Sequence, residues 1–309
     1  MASVLHAIII RRQRKSLPND PSAIFYECDY IEETSDVFHY LLGCINHALT
    51  ALSQDLACKK MAVLAKGIHD AANGSCPEFD AVAAEKWIKT EFLLKLFKAL
   101  PPVYVEKELK HVQAEDIGFA IACTPEQDCY DSGHAIYLNA AIVDDLARAA
   151  SKFSAAPKTS TSSKAPELLQ TTGKGYVKCM FMITFTLMHE VQHLIKAHLV
   201  RSRIATPIDL TIHPLWHPRK GEGEAGHFIT KELVEGIPWI QPQLGLPNND
   251  PGIPWLFFME VINDRQHRWG KEIKLDAMIT FLRGAMSSPS SSSGSTDPFA
   301  EFNLGNRVD

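Results

Sequence analysis

From Tyr176 to Arg201 the chain runs without a glycine or proline. Phe181, Met182, Ile183, Phe185, Leu187 and Met188 lie in its first half, and Leu194, Ile195, Leu199 and Val200 in its second. This pattern predicts one long, largely buried helix. Inside it stands His189-Glu190-Val191-Gln192-His193. Residues four apart share a helix face, so the two imidazoles project side by side. Burying an unpaired charge is costly, and an apolar helix that carries Glu190 and two histidines needs a reason for them. Two adjacent imidazoles suit one Zn²⁺, and a carboxylate one position further round is placed to take a proton from a bound water.

The chain of 309 residues has 46% hydrophobic content, enough for a sizeable core. Its net charge of −5 gives no argument for nucleic acid or an anionic membrane surface. No apolar run reaches the length of a membrane span. At the N-terminus Val4, Leu5, Ile8, Ile9 and Ile10 precede Arg11, Arg12, Arg14 and Lys15. A secretory signal has the opposite order of charge and apolar residues, so a first strand followed by a basic turn is expected. The cysteines are Cys28, Cys44, Cys58, Cys76, Cys123, Cys129 and Cys179. They are odd in number and lack C-x-x-C spacing, which predicts reduced thiols and a cytoplasmic protein.

Ala23–Tyr30 reads as a strand. Thr34 or Ser35 caps a helical segment, Val37–Lys66, with Phe38, Leu41, Ile45, Leu49, Leu52 and Met61 at helical spacing and a break near Ser53–Asp55. Asn73-Gly74-Ser75 is a turn. Pro77–Ala99 predicts one or two helices, stopped by Pro101-Pro102. Short strands are expected at Val103–Val105, Ile117–Cys123 and His134–Asn139, and a helix over Ala141–Phe153. Ser154–Lys164 is rich in Ser, Thr, Ala and Lys and reads as a mobile insert. Beyond the central helix, Ile204–Lys220 is rich in Pro and His. Glu222–Glu235 predicts a helix ended by Gly236 and Pro238. Trp255–Ile262 and Ile273–Leu282 are the last regular elements, and 287–309 reads as a serine-rich disordered tail.

A catalytic zinc takes a third protein ligand. The extended pattern H-E-x-x-H-x-x-G-x-x-H is absent, because positions 196 and 199 are Lys196 and Leu199. His198 points to another side of the helix. A carboxylate from a second helix is the alternative. Glu224 fits best, in Gly223-Glu224-Ala225-Gly226, where small neighbours let that helix approach closely. Glu222, Glu232, Glu235, Asp209, His213 and His217 are rivals.

His189-Glu190-x-x-His193 matches the H-E-x-x-H of zinc metallopeptidases. With Glu224-Ala225 downstream it resembles the gluzincins, whose third ligand is a glutamate on a following helix. The resemblance covers about 176–235. It implies His189, His193 and Glu224 as zinc ligands and Glu190 as general base. Many gluzincins have an aspartate four residues after the ligand glutamate; here that position is Phe228. Gluzincins also use a Tyr or His to stabilise the oxyanion, which points to His227, with His213 and His217 as alternatives. An edge strand that pairs with an extended peptide is expected in such enzymes, and His134–Asn139 is the candidate.

The expected protein is therefore α+β and zincin-like. Residues 1–286 form the metallopeptidase domain, a small mixed sheet with long helices, and 287–309 its tail. The expected activity is hydrolysis of a peptide or protein substrate. A non-catalytic zinc-binding or interaction protein is the second expectation, its site closed by a donor from His213–Arg219.

Overall fold

The structure is a computed structural model and describes residues 7–107, 135–155, 165–200, 225–234, 237–240, 257–262, 268–284 and 299. The expected strand Ile117–Cys123, the loop Ile204–Lys220 and the serine run lie outside these residues. So does all of the expected insert except Ser154 and Ala155, which are helical.

The chain opens with a hairpin, β1 (Ile9–Leu17) and β2 (Asp20–Tyr30). Helices α1 (Asp36–Leu52) and α2 (Asp55–Asn73) follow. The Ser35 side chain caps α1 by accepting from the Phe38 N–H, which satisfies one of the free amides of the first turn. Gly74 ends α2 at φ 76°, a conformation that costs glycine nothing. Helices α3 (Ala81–Trp87) and α4 (Leu93–Lys98) run on from each other through a π-helical turn, Ile88–Phe92. Then come β3 (Val103–Glu106), β4 (Ile136–Asn139) and α5 (Ala140–Ala155).

The strands assemble in the order β2-β1-β3-β4, with β1, β3 and β4 parallel and β2 antiparallel. One face presents Ile9, Val103, Val105, Ile136 and Leu138 to the helices. The other carries Arg12 among Tyr26, Tyr104 and Tyr137, its guanidinium 4.1, 5.1 and 4.9 Å from the three ring centres. Arg12 is also paired with the buried Glu106. The basic segment Arg11–Lys15 is thus strand, not the expected turn. The turn falls at Pro18-Asn19, and an aromatic face with a buried carboxylate accommodates the cation.

Helix α6 (Ala165–Val200) is the centre of the molecule and packs against α1, α2, α5, α7 (Ala225–Val234) and α8 (Leu275–Gly284). Cys179, Phe181, Met188, Leu194 and Ile195 are each fully buried on it. Among the described residues, strands β5 (Ile237–Ile240), β6 (Phe257–Ile262) and β7 (Arg268–Glu272) form a second, antiparallel sheet in that order. The fold is mixed α and β, mostly helical, with a small mixed sheet as expected. The second sheet was not expected. No helix among the described residues is long and apolar enough to cross a membrane.

Candidate metal centre

Helix α6 is not buried all round. Thr186, His189, His193, Lys196 and Ala197 are half-buried while nearly everything between them is covered. Spacings of three and four residues put them in one stripe along the helix. Both histidines of the motif therefore lie on the partly open face of an otherwise enclosed helix. Their ring centres are 5.3 Å apart, with the planes at 64°.

Glu190 sits at the border of that stripe and is only 2% exposed. Its carboxylate comes within 3.8 Å of His189 Nε2. One donor atom from each of His189, Glu190 and His193 lies within 4.8 Å of the others, a grouping that can hold a metal ion. Imidazole nitrogens with a carboxylate oxygen suit zinc and other borderline transition metals, so the chemistry of the donor set fits.

The second element of the site is α7. Gly226, near its start, lies against the imidazole of His189. A Cβ built on Gly226 would stand 2.4 Å from His189 Cγ and Nδ1 and 2.5 Å from Cδ2. The small residues around Glu224 thus include one that lets a helix meet the motif, as the sequence suggested. Glu224 itself lies outside the described residues. His227 belongs to α7, but its side chain is not among the described atoms.

The structure reduces the field of rivals. Glu232, on α7, is held 2.6 Å from Lys60 Nζ on α2. His198 turns away from the stripe: its Nδ1 is 2.9 Å from the Leu194 carbonyl oxygen, and its ring meets Phe92 edge-on at 5.5 Å. Asp209, His213, His217, Glu222 and Glu235 lie outside the described residues. β4 is an outer strand of its sheet among the described residues, as expected of a substrate-pairing strand, yet all four of its residues are buried.

Sequence reasoning placed Gly226 only among the small residues beside Glu224, without its contact to His189, and did not find the pair Lys60–Glu232. For Gly226 a signal was present, a glycine inside a helical pattern, which marks a close approach as well as a break. For Lys60 and Glu232, far apart in sequence, there was none. No family model, no curated protein and no solved structure matches this chain.

Proposed function

We propose that the chain is a zinc-dependent metallopeptidase of the gluzincin kind. The observation that carries this reading is the grouping of His189, Glu190 and His193, with the two histidines on the half-open stripe of a buried helix and the buried Glu190 beside it. A donor set meant only to brace the core has no need of that opening, whereas a substrate does. His189 and His193 hold the ion. Glu224, two residues before Gly226 in the sequence, completes the set.

Zinc bound there supplies a Lewis acid that polarises a carbonyl and lowers the pKa of water towards about 7. The chain's own contribution is proton transfer and exclusion of water. Glu190 takes the proton of the attacking water and passes it to the leaving amine. Its burial within α6 keeps the carboxylate in a fixed position beside His189, so little reorganisation is needed during reaction. His227 is assigned to the oxyanion, on the resemblance alone. A cytoplasmic setting is part of the same proposal.

The test combines metal analysis with hydrolysis of a peptide library. The purified wild type is expected to carry about one zinc per chain, and a His189→Ala/His193→Ala variant none. Glu190→Gln keeps the zinc and loses hydrolysis by on the order of 10²–10⁴. Zinc without hydrolysis in the wild type supports instead a closed structural site with a fourth protein donor. Absence of zinc from the wild type rejects both.

A further inference from the structure

Gly226 occupies an ordinary backbone conformation. Among the described glycines only Gly74 has positive φ. A Cβ is therefore excluded at Gly226 by space alone, and the space is taken by one object, the imidazole of His189, at 2.4–2.5 Å from where the Cβ would be. Real contacts between carbon atoms settle at about 3.5–4.0 Å, so an added methyl and the ring cannot both stay.

The crowded atoms, Cγ, Nδ1 and Cδ2, are the part of the ring next to the His189 Cβ, so relief takes a change of the His189 rotamer, and the His189 side chain is 22% exposed on the half-open stripe. The start of α7, by contrast, is anchored. Ala225 and Ile229 are fully buried. The Thr230 hydroxyl donates to the Gly226 carbonyl. Lys60 grips Glu232, six residues beyond Gly226. The bare backbone at Gly226 thus forms one wall of the slot that the His189 ring occupies.

We infer that Gly226 is a positioning residue for the metal ligand His189. This rests on the reading of His189 as a ligand. The wall limits the ring to the rotamer that faces His193 and Glu190, so less rotamer freedom is lost when an ion binds. An alanine there pushes the ring outwards, and zinc affinity falls by about tenfold or more, the range found when a ligand's supporting contact is removed.

The experiment uses four full-length proteins: wild type, Gly226→Ala, His189→Ala and the double variant. Zinc affinity is measured by titration against a competing chelator, and Tm is measured metal-free. Gly226→Ala is expected to bind zinc about tenfold or more weakly. Its metal-free Tm falls in the wild-type background but not in the His189→Ala background, where the clash has gone and alanine is the better helix former.

Unchanged zinc affinity in Gly226→Ala overturns the inference whatever its Tm. So does an equal loss of Tm in both backgrounds, since that is general damage to α7. Failure of the metal reading is visible separately, as a wild type that binds no zinc.

Discussion

The Lys60 ammonium lies 2.6 Å from the Glu232 carboxylate and joins α2 to α7. Both side chains are about one-third exposed, at 33% and 31%. A pair so exposed contributes only about 0.2–1 kcal/mol. Its consequence is geometric: it fixes the helix that carries Gly226, and it engages a glutamate that the sequence alone left as a rival metal donor. Glu232→Gln should lower Tm by a degree or two and leave zinc content at the wild-type level. Elemental analysis beside a melting curve checks this, and loss of zinc would return Glu232 to the donor set.

Arg12 and Glu106 make the opposite case, a mostly enclosed pair. Arg12 is 16% exposed at its side chain and Glu106 only 7%. Arg12→Met leaves a carboxylate buried without its partner, at a cost of about 3–5 kcal/mol. Removing both charges, as Arg12→Met with Glu106→Gln, should recover most of that loss. Chemical denaturation of the single and double variants measures it. If the double variant is no more stable than Arg12→Met, the pair is not the source of the loss.

These two pairs mark where the sequence was legible and where it was not. Local physics was visible. The break between α1 and α2 fell at Ser53-Gln54, Ser35 capped its helix, and α6 was buried from Cys179 to Ile195 apart from Thr186, His189 and His193. Cross-chain pairing was hidden. Four charges at Arg11–Lys15 read as a turn because nothing local revealed that Tyr26, Tyr104, Tyr137 and Glu106 would line up beside Arg12. β5 was missed because Pro238 argues against a strand. It is tolerated because β5, among the described residues, is an edge strand of the β5-β6-β7 sheet. β7, Arg268–Glu272, has no apolar alternation to betray it. At the site, the motif fixed three residues on one helix, and the contact of Gly226 with His189 needed coordinates.

The serine-rich tail was expected to add nothing to the core. Its one described residue, Phe299, is fully buried, with its ring 5.7 Å from Phe281. Phe281 in turn meets Phe185 at 4.9 Å and Phe181 at 5.6 Å on α6. Phe299→Ala should therefore cost about 3–5 kcal/mol, as for other buried aromatics. In a chain of this size that is a fall in Tm on the order of 10 °C. Deleting 287–309 should cost at least as much. A deletion that leaves Tm unchanged would show that the ring is not part of the core.

The thiols should divide sharply by reactivity. Burial pushes Cys44 and Cys179 up to about 12 and Cys58 up to about 11. Cys28 is exposed on β2. The thiolate is the reactive form, so at pH 8 the three buried residues are both protonated and inaccessible. Brief alkylation of the native protein, followed by peptide mapping, should label Cys28 and spare Cys44, Cys58 and Cys179 until denaturant is added. Labelling of Cys44 or Cys179 as fast as Cys28 would contradict the packing of α1 against α6.

The third donor is the sharpest test of the proposed function, because the candidates stand so close together in sequence. Glu224 and Glu222 share the run Gly221-Glu222-Gly223-Glu224 and differ by two positions. Metal binding is linked to folding, and loss of a ligand shows as loss of metal-dependent stability. Glu224→Ala should reduce zinc content and abolish most of the difference in Tm between zinc-loaded and chelator-treated protein. Glu222→Ala should do neither. Glu190→Gln should keep both the zinc and the Tm difference, since Glu190 is assigned as base and not as ligand. Zinc content and paired melting curves for the three variants decide this without knowledge of any substrate. If Glu222→Ala loses the metal and Glu224→Ala keeps it, the donor is displaced by two residues. If neither loses it, the donor comes from elsewhere in the chain and the comparison with gluzincins loses its main support. If Glu190→Gln releases the metal, Glu190 is itself a ligand, and the proton transfer assigned to it is wrong.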